Sequence, residues 1–307
     1  MSTLIAKKSR FEINKIKPTT NVLFNLLFAT IALLSVIPLL FVISVSLTDE
    51  QVLRKAGYSL FPAKFSIESY RFLMREFGMI SRAFGVSVIV TALGTFLGVS
   101  LVLTTGYVLS RRSYRLRSAL SWFIFIPMIF NGGMVSSYVV ISNILQLRDT
   151  IWVLILPLCV SSFNIIIART FFQSTIPAGI VESAQIDGAS QLKIFLSVVL
   201  PISKPLIATI ALFLAFGYWN DWFQASLYIN KDSLVGLQAL LMRIQKNIEY
   251  MARNPELGVN VAQYVRNMPK EGARMAIVVL AVVPIACTYP FFQKYFISGL
   301  TIGAVKG

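Results

Sequence analysis

The sequence contains no histidine and only two cysteines among its 307 residues. The absence of histidine removes imidazole acid–base chemistry and most zinc sites. Cys159 and Cys287 both lie inside apolar runs, so we do not expect a disulfide framework. The phosphate loop Gly-x-x-x-x-Gly-Lys-Ser/Thr is also absent from the sequence, so this chain should not hydrolyse ATP itself. We predict no metal or cofactor in this chain.

Charged residues are scarce, at 13% of the chain, whereas 56% of the residues are hydrophobic. A soluble domain would carry nearer a quarter of charged residues, so the composition is that of a protein in a lipid bilayer. The net charge of +15 could suggest a nucleic-acid binder. However, the basic residues cluster at the ends of apolar runs and form no stripe with interleaved aromatic residues. We therefore exclude a nucleic-acid partner.

Six apolar runs are long enough to cross a hydrocarbon core of about 30 Å. The first is about twice as long as a signal-peptide core and lacks a clear cleavage site, so we expect it to be retained. The fold class predicted is an all-α integral membrane protein with an N-terminal arm (1–21), a six-span domain (22–297) and a short tail (298–307). The predicted spans are residues 22–47, 84–109, 119–141, 151–172, 205–229 and 275–297.

The orientation of the spans follows from the basic residues in the short connections, which mark the cytoplasmic side. The N-terminal arm carries five basic residues, and the second connection contains Arg111, Arg112, Arg115 and Arg117. The third connection contains only Arg148, which is opposed by Asp149. These counts predict that both termini, the second connection and the fourth connection (174–204) are cytoplasmic.

The fourth connection has the pattern of a short helix, a tight turn and a second helix. Pro177 suits a first helical turn, Asp187-Gly188 is a turn dipeptide, and Ser190 can cap the following helix. Such a polar segment must lie outside the hydrocarbon, where water or a partner satisfies its backbone. We therefore predict a projecting loop at the cytoplasmic surface.

The order of residues in this loop resembles the EAA loop of bacterial ABC importer permeases. Glu182-Ser183-Ala184, then Gly188, then Val198-x-Leu200-Pro201 is similar to the family pattern Glu-Ala-Ala, Gly, Ile-x-Leu-Pro, from which it departs at Ser183 and Val198. In that family the loop is the coupling helix that docks on the ATPase subunit. The resemblance implies a turn at Gly188, polar docking contacts from Glu182 and Asp187, and apolar ones from Val181, Ala184 and Leu192. An interfacial amphipathic helix without a partner is the alternative.

Two further stretches resemble carbohydrate-type members of this family. Residues 130–134 and Asn143-Ile144-Leu145 are similar to these permeases, and the C-terminus resembles the tail of the maltose-type permeases. In those transporters the tail reaches between the two ATPase subunits, whereas a frayed terminus is the alternative here. The residues to which this contact would be assigned are Gly303, Ala304, Val305, Lys306 and Gly307.

Polar residues within the spans are candidates for a substrate pathway. The fifth span contains Tyr218, Trp219, Asn220, Asp221 and Trp222, with Asp221 about 25 Å from the cytoplasmic end at 1.5 Å per residue. A carboxylate at that depth must face a polar cavity or a partner. These residues could bind a sugar, or they could form an aromatic belt in which Asp221 only caps or pairs another helix.

Three other patterns concern helix geometry. Asn131, a further pathway candidate, precedes Gly132-Gly133 and predicts a kink in the third span. Gly94 and Gly98 form a small-residue face that lets another helix approach closely. Apolar residues of the fifth connection predict an amphipathic helix on the membrane or on a neighbouring span, or a plain packed loop helix. Those residues are Leu237, Leu240, Leu241, Ile244, Ile248 and Met251.

Taken together, the resemblance implies the smaller permease subunit of a sugar or oligosaccharide ABC importer with the type I permease fold. Its implied partners are a second permease, two ATPase subunits that hold ATP and Mg, and an external solute-binding protein, in a bacterial cell membrane. A permease for a polyamine or a phosphorylated polyol is one alternative. A membrane-embedded enzyme or scaffold is another, although no intramembrane acid pair or nucleophile–base couple supports it.

Overall fold

The computed structural model describes residues 17–75, 77–253 and 269–304, and these ranges are predominantly helical. Their α-helices are α1 (Pro18–Ser46), α2 (Glu50–Ala56), α3 (Glu68–Met74), α4 (Phe77–Ser110), α5 (Arg117–Ile129), α6 (Gly133–Val139), α7 (Ile151–Cys159), α8 (Ser162–Thr175), α9 (Ala178–Ile186), α10 (Gln191–Ile194), α11 (Leu200–Ile202), α12 (Lys204–Asn220), α13 (Phe223–Tyr228), α14 (Leu237–Arg253) and α15 (Lys270–Ala304). Wider π-helical turns cover Val140–Ile144 and Phe195–Val199, and a 3₁₀ turn covers Asp232–Leu234.

One compact unit comprises the described residues up to 74 together with 269–279. The side chains of α1 are mostly exposed along its apolar length, as expected for a helix whose surroundings are lipid or other subunits. Asp49 caps α2 by accepting a hydrogen bond from the Gln51 N–H at 3.0 Å, and it pairs with Lys64 at 2.9 Å. These contacts hold the segment after α1 in place.

The second unit comprises the described residues from 75 to 253 and from 280 to 304, and α4 is the helix against which α7, α8 and α12 pack. A row of glycines on α4 permits this close packing. A Cβ atom on Gly94 would clash with the Tyr218 ring, one on Gly98 would lie 2.7 Å from the Cys159 carbonyl oxygen, and one on Gly106 would lie 2.7 Å from Ala168. The predicted close approach at Gly94 and Gly98 is therefore confirmed.

Three helices in the described ranges are long and apolar enough to cross a membrane, or up to five if each bent pair counts as one span. The three are Pro18–Ser46, Phe77–Ser110 and the Lys270–Thr288 part of α15. The bent pairs are Ile151–Cys159 with Ser162–Thr175, at 47°, and Gln191–Ile202 with Lys204–Asn220, at 84°. The predicted third span corresponds to α5 and to the shorter helical stretch that follows it.

Several predicted spans are interrupted. The kink predicted at Asn131 is confirmed, because α5 ends at Ile129 and α6 begins at Gly133, where φ is 82°. Helices α7 and α8 are separated at residues 160–161, so the span predicted over 151–172 is not a single helix. Likewise, α12 ends at Asn220 inside the span predicted over 205–229.

The amphipathic helix predicted in the fifth connection is present as α14. Its apolar residues Leu237, Leu241 and Ile248 are buried, and the Leu237 N–H donates a hydrogen bond to the Ser87 hydroxyl of α4 at 2.8 Å. The helix therefore lies on a neighbouring helix, which was one of the predicted placements. The side chain of Met251 lies outside the described residues.

Candidate coupling surface

The connection between α8 and α12 folds as the sequence predicts. Helix α9 follows Pro177 and ends at Asp187, and Gly188 has a φ of 76°, a left-handed conformation that favours glycine. The Gly188 N–H donates to the Gln185 carbonyl at 3.0 Å and closes the turn. Ser190 then caps α10 by accepting a hydrogen bond from the Lys193 N–H at 3.3 Å. The helix, turn and second helix are thus each set by local sequence.

The outer side of this connection combines polar and apolar side chains. Glu182, Ser183 and Asp187 are exposed, and Ile186 and Leu192 are 86% and 67% exposed. Large apolar side chains exposed in a segment that must meet water are candidates for contact with another protein. We call the surface formed by α9, its turn and α10 the coupling surface.

Ile186 is absent from the sequence-based set of docking residues. The apolar positions predicted for docking follow steps of three and four from Val181, and Ile186 does not fall on that face. A large apolar residue directly before an Asp-Gly turn nevertheless indicates an exposed apolar side chain. Because a turn projects into solvent, an isoleucine beside it has little chance of being covered by its own chain.

Val181 lies on the opposite side of α9 and is fully buried. It belongs to the same apolar cluster as Ile194 and Phe195. The sequence assigned Val181 an apolar contact with a partner, and this assignment needs correction because the side chain is covered by its own chain. Ala184 is half-buried and packs against the same cluster. The role of Val181 is to fix α9 to the helices beneath it.

An aromatic contact joins the coupling surface to α4. The Tyr107 ring lies 5.7 Å from the Phe172 ring of α8 and 5.1 Å from the Phe195 ring that follows α10. The Arg111 guanidinium lies over the outer side of Tyr107, 5.7 Å from its centroid. These packed rings connect the residue directly after α10 to the end of α4.

The basic connection after α4 lies beside the coupling surface. Arg111, Arg112 and Arg117 line a polar cleft of about 940 Å³ together with Glu182. The two connections that the sequence assigned to one side of the membrane therefore lie at the same end of this unit. The direction in which that end faces stays a prediction.

The coupling surface ends at a sharp bend. Leu200 is half-buried and Pro201 is exposed, and both belong to the short α11. The buried Ser203 hydroxyl donates to the Val199 carbonyl at 2.8 Å, and α12 begins at Lys204. The 84° bend at this point separates the coupling surface from the buried length of α12.

Two predicted substrate residues have packing roles. The Tyr218 hydroxyl donates to the Ile155 carbonyl at 2.7 Å, and its ring covers Gly94. The Trp219 Nε1–H donates to the Ala281 carbonyl at 3.1 Å, and its ring packs edge-on against Phe84. Both side chains are more than nine-tenths buried, so for Tyr218 and Trp219 the structure supports the packing interpretation over the sugar-binding one.

The remaining predicted pathway residues lie at breaks between helices. The Asp221 carboxylate accepts a hydrogen bond from the Gln224 N–H at 3.3 Å, and Asn131 accepts one from the Gly133 N–H at 2.8 Å. The Asn220 amide donates to the Phe216 carbonyl, and Trp222 is 39% exposed. Their hydrogen bonds within the chain are local, and a contact of these residues with a sugar stays a prediction.

The C-terminal prediction is largely beyond what the structure describes. Helix α15 continues through Gly303 to Ala304, whereas Val305, Lys306 and Gly307 lie outside the described residues. Within the described ranges, no group of three or more cysteine, aspartate or glutamate side chains is arranged to hold a metal ion.

Comparisons with known proteins agree on one family. The family model described as "Binding-protein-dependent transport system inner membrane component" matches residues 90–302. Protein LplC of Bacillus subtilis is 37% identical over 92% of this chain and 94% of its own length. The polygalacturonan/rhamnogalacturonan transport system permease protein YtcP of Bacillus subtilis is 39% identical over 92% of this chain and 96% of its own length.

The fold is also shared with a solved structure. A chain in the crystal structure of a bacterial ABC transporter involved in the import of the acidic polysaccharide alginate superimposes with a TM-score of 0.76 at 24% identity, covering 91% of this chain and 96% of that one.

Proposed function

Because this chain belongs to the family of binding-protein-dependent transport system inner membrane components, we propose that it is a permease subunit of an ATP-driven importer and that it couples to its ATPase through α9. The family match to residues 90–302 confirms the resemblance found in the Glu182 loop. The observation that supports the coupling role is the exposure of Ile186 and Leu192 at a turn that no other part of the described chain covers.

The solute in this proposal is a saccharide. YtcP, which is 39% identical, is named for polygalacturonan and rhamnogalacturonan transport, and the relative in the shared-fold crystal structure imports alginate. No observation in the chain favours a polyamine or a phosphorylated polyol. An embedded enzyme is disfavoured by the transport family itself and by the lack of acid–base candidates in the sequence.

The proposed topology has six spans with both termini in the cytoplasm. In it, α1, α4 and α15 each cross once, the two bent pairs each provide one span, and α5 with the following helical stretch provides the sixth. The proposed assembly adds a second permease, two ATPase subunits with ATP and Mg, and an external solute-binding protein. The location is a bacterial cell membrane.

The proposed mechanism begins at α9. Closure of the ATPase subunits around ATP would displace the coupling surface, with Glu182 and Asp187 as polar contacts and Ile186 and Leu192 as apolar ones. The packed rings of Phe195 and Tyr107 would then transmit the displacement to α4. Because close-packed helices have discrete arrangements, the result would be a switch between inward-open and outward-open states.

The test is replacement of Ile186 by aspartate. We expect Ile186→Asp to abolish co-purification of the ATPase and saccharide-stimulated ATP hydrolysis, because a charge would enter an apolar contact. Phe61→Asp is the matched control for ATPase co-purification, because Phe61 is 83% exposed and, in the proposed topology, lies on the external side of the membrane. Normal coupling in Ile186→Asp, or an activity of the purified chain that needs no ATPase, would refute the proposal.

A further inference from the structure

A second cleft lies in the same unit and shares only Arg117 with the polar cleft beside the coupling surface. It has a volume of about 550 Å³ and lies between the end of α4, the start of α5 and the middle of α8. Its lining residues are Leu109, Arg117, Ser118, Ser121, Trp122, Ile124, Phe125, Ile166 and Arg169. The cleft is basic at one end and apolar at the other.

The basic end contains two guanidinium groups. The Arg117 Nε–H donates to the Leu109 carbonyl at 2.9 Å, which fixes the side chain at the cleft. The Nε atom of Arg169 is buried and has no hydrogen-bond partner in the described chain. Among the residues that the structure describes, no acidic side chain lines the cleft. A buried charged donor without a partner is unfavourable, so this end of the cleft is suited to an anion.

The apolar end of the cleft faces outward. Trp122 and Phe125 are 61% and 41% exposed, and both belong to α5, whose helix begins at Arg117. Trp122 lies five residues after Arg117, the first residue of this apolar helix, and tryptophan at such a depth is typical of the membrane interface. A ligand that fits the whole cleft therefore carries an anionic group beside an apolar chain.

We propose that this cleft binds the phosphodiester headgroup of an anionic phospholipid from the cytoplasmic leaflet. Arg169 and Arg117 would bind the phosphate oxygens, because the guanidinium group matches phosphate geometry with parallel N–H donors. The first part of an acyl chain would lie on Trp122 and Phe125. Basic pockets between helices at the cytoplasmic surface are known to select such headgroups. The choice of leaflet depends on the topology proposed above.

The experiment measures retained lipid. The assembled transporter is equilibrated with vesicles of equal phosphatidylglycerol and phosphatidylcholine, extracted in mild detergent, and the lipid bound to this chain is quantified by native mass spectrometry. We expect wild type to retain phosphatidylglycerol preferentially, and Arg169→Gln or Arg117→Gln to lower that preference about fivefold each. Arg112→Gln is the matched control, because Arg112 is exposed nearby but does not line this cleft. It should leave the preference unchanged.

Three outcomes would overturn the inference. They are the absence of a preference in wild type, an equal loss in Arg112→Gln, and displacement of the lipid by millimolar inorganic phosphate, which would indicate a site for free phosphate. If Arg169→Gln does not fold, the comparison of Arg117→Gln with Arg112→Gln still tests the site. The lipid is measured on the mass of this chain, so a failure of ATPase assembly would count against the proposed function and not against the lipid site.

Discussion

Substitution of Gly188 separates the two reasons for which a glycine could be needed at the coupling turn. The first reason is its φ of 76°, and the second is close approach by a partner. A Cβ atom added at Gly188 would meet nothing within 4 Å, so substitution causes no clash inside the chain. The internal effect of a substitution therefore comes from the backbone conformation alone.

The magnitude follows from the left-handed conformation. An alanine in that region is disfavoured by about 1–2 kcal/mol, whereas asparagine adopts it more readily. If the turn of the variant relaxes in the free subunit, docking must restore the native conformation. The apparent affinity for the ATPase then falls in proportion to the fraction of subunits that have the native turn. We expect Gly188→Ala to weaken ATPase binding by up to about 5- to 30-fold and Gly188→Asn to weaken it much less.

The assay is titration of the purified ATPase onto the permease complex in detergent, followed by solute-stimulated ATP hydrolysis in proteoliposomes. Gly188→Trp should abolish both and leave the protein folded in the membrane, because the indole would occupy space that the partner needs. Equal defects in Gly188→Ala and Gly188→Asn would refute the backbone explanation. Normal transport by Gly188→Trp would refute the coupling assignment.

Three further substitutions test the packing and the loops. Gly94→Ala should lower thermal stability by about 1–3 kcal/mol because its methyl group meets the Tyr218 ring, whereas Gly85→Ala on the same helix meets nothing within 4 Å and should be neutral or stabilising. Tyr218→Phe should cost about 1 kcal/mol of stability, measured by thermal unfolding, and leave the choice of solute unchanged; an altered solute would favour the pathway interpretation. Hydrogen bonds from the backbone N–H groups of Asn230 and Lys231 lower the pKa of Asp149 below its ordinary value of 3.8, so its stabilisation is present above pH 3.8 and is lost as the pH falls through the lower value. Asp149→Asn should therefore lower the melting temperature at pH 7 and have progressively less effect below pH 3.8. An equal decrease at pH 7 and below pH 3.8 would contradict the stabilising role of the carboxylate.

Local features were predictable from the sequence because they depend on residues close together in the chain. Gly188 and Ser190 determine the turn and the cap, and both are recognisable from residue type. The kink after Ile129 follows from Asn131 and the glycine pair. The close approach at Gly94 follows from the small-residue spacing on an apolar helix.

Features that depend on distant contacts could not be predicted. The break at residues 160–161 has no glycine or turn dipeptide to indicate it. Pro157 removes one backbone donor from α7, and the Cys159 carbonyl lies where a side chain on Gly98 would be. The break thus coincides with a close contact between Cys159 and α4, which the sequence does not show. In the same way, the sequence shows that Val181 is apolar but does not show that it is buried in the same cluster as Ile194 of α10.

The positions of these breaks affect how a displacement at α9 can reach the membrane part of the chain. Helix α4 has no proline. Its Tyr107 contacts Phe195, the residue directly after α10, and lies about 20 Å along the helix axis from Gly94, which contacts Tyr218 of α12. Helix α4 is continuous between these two contacts, whereas α8 is bent by 47° from α7, and α12 is bent by 84° from the segment before it. Helices α4 and α12 are also in close contact where the Tyr218 ring covers Gly94. The arrangement therefore favours a motion in which α4 and α12 move as one body and the angles change at residues 160–161 and at Ser203.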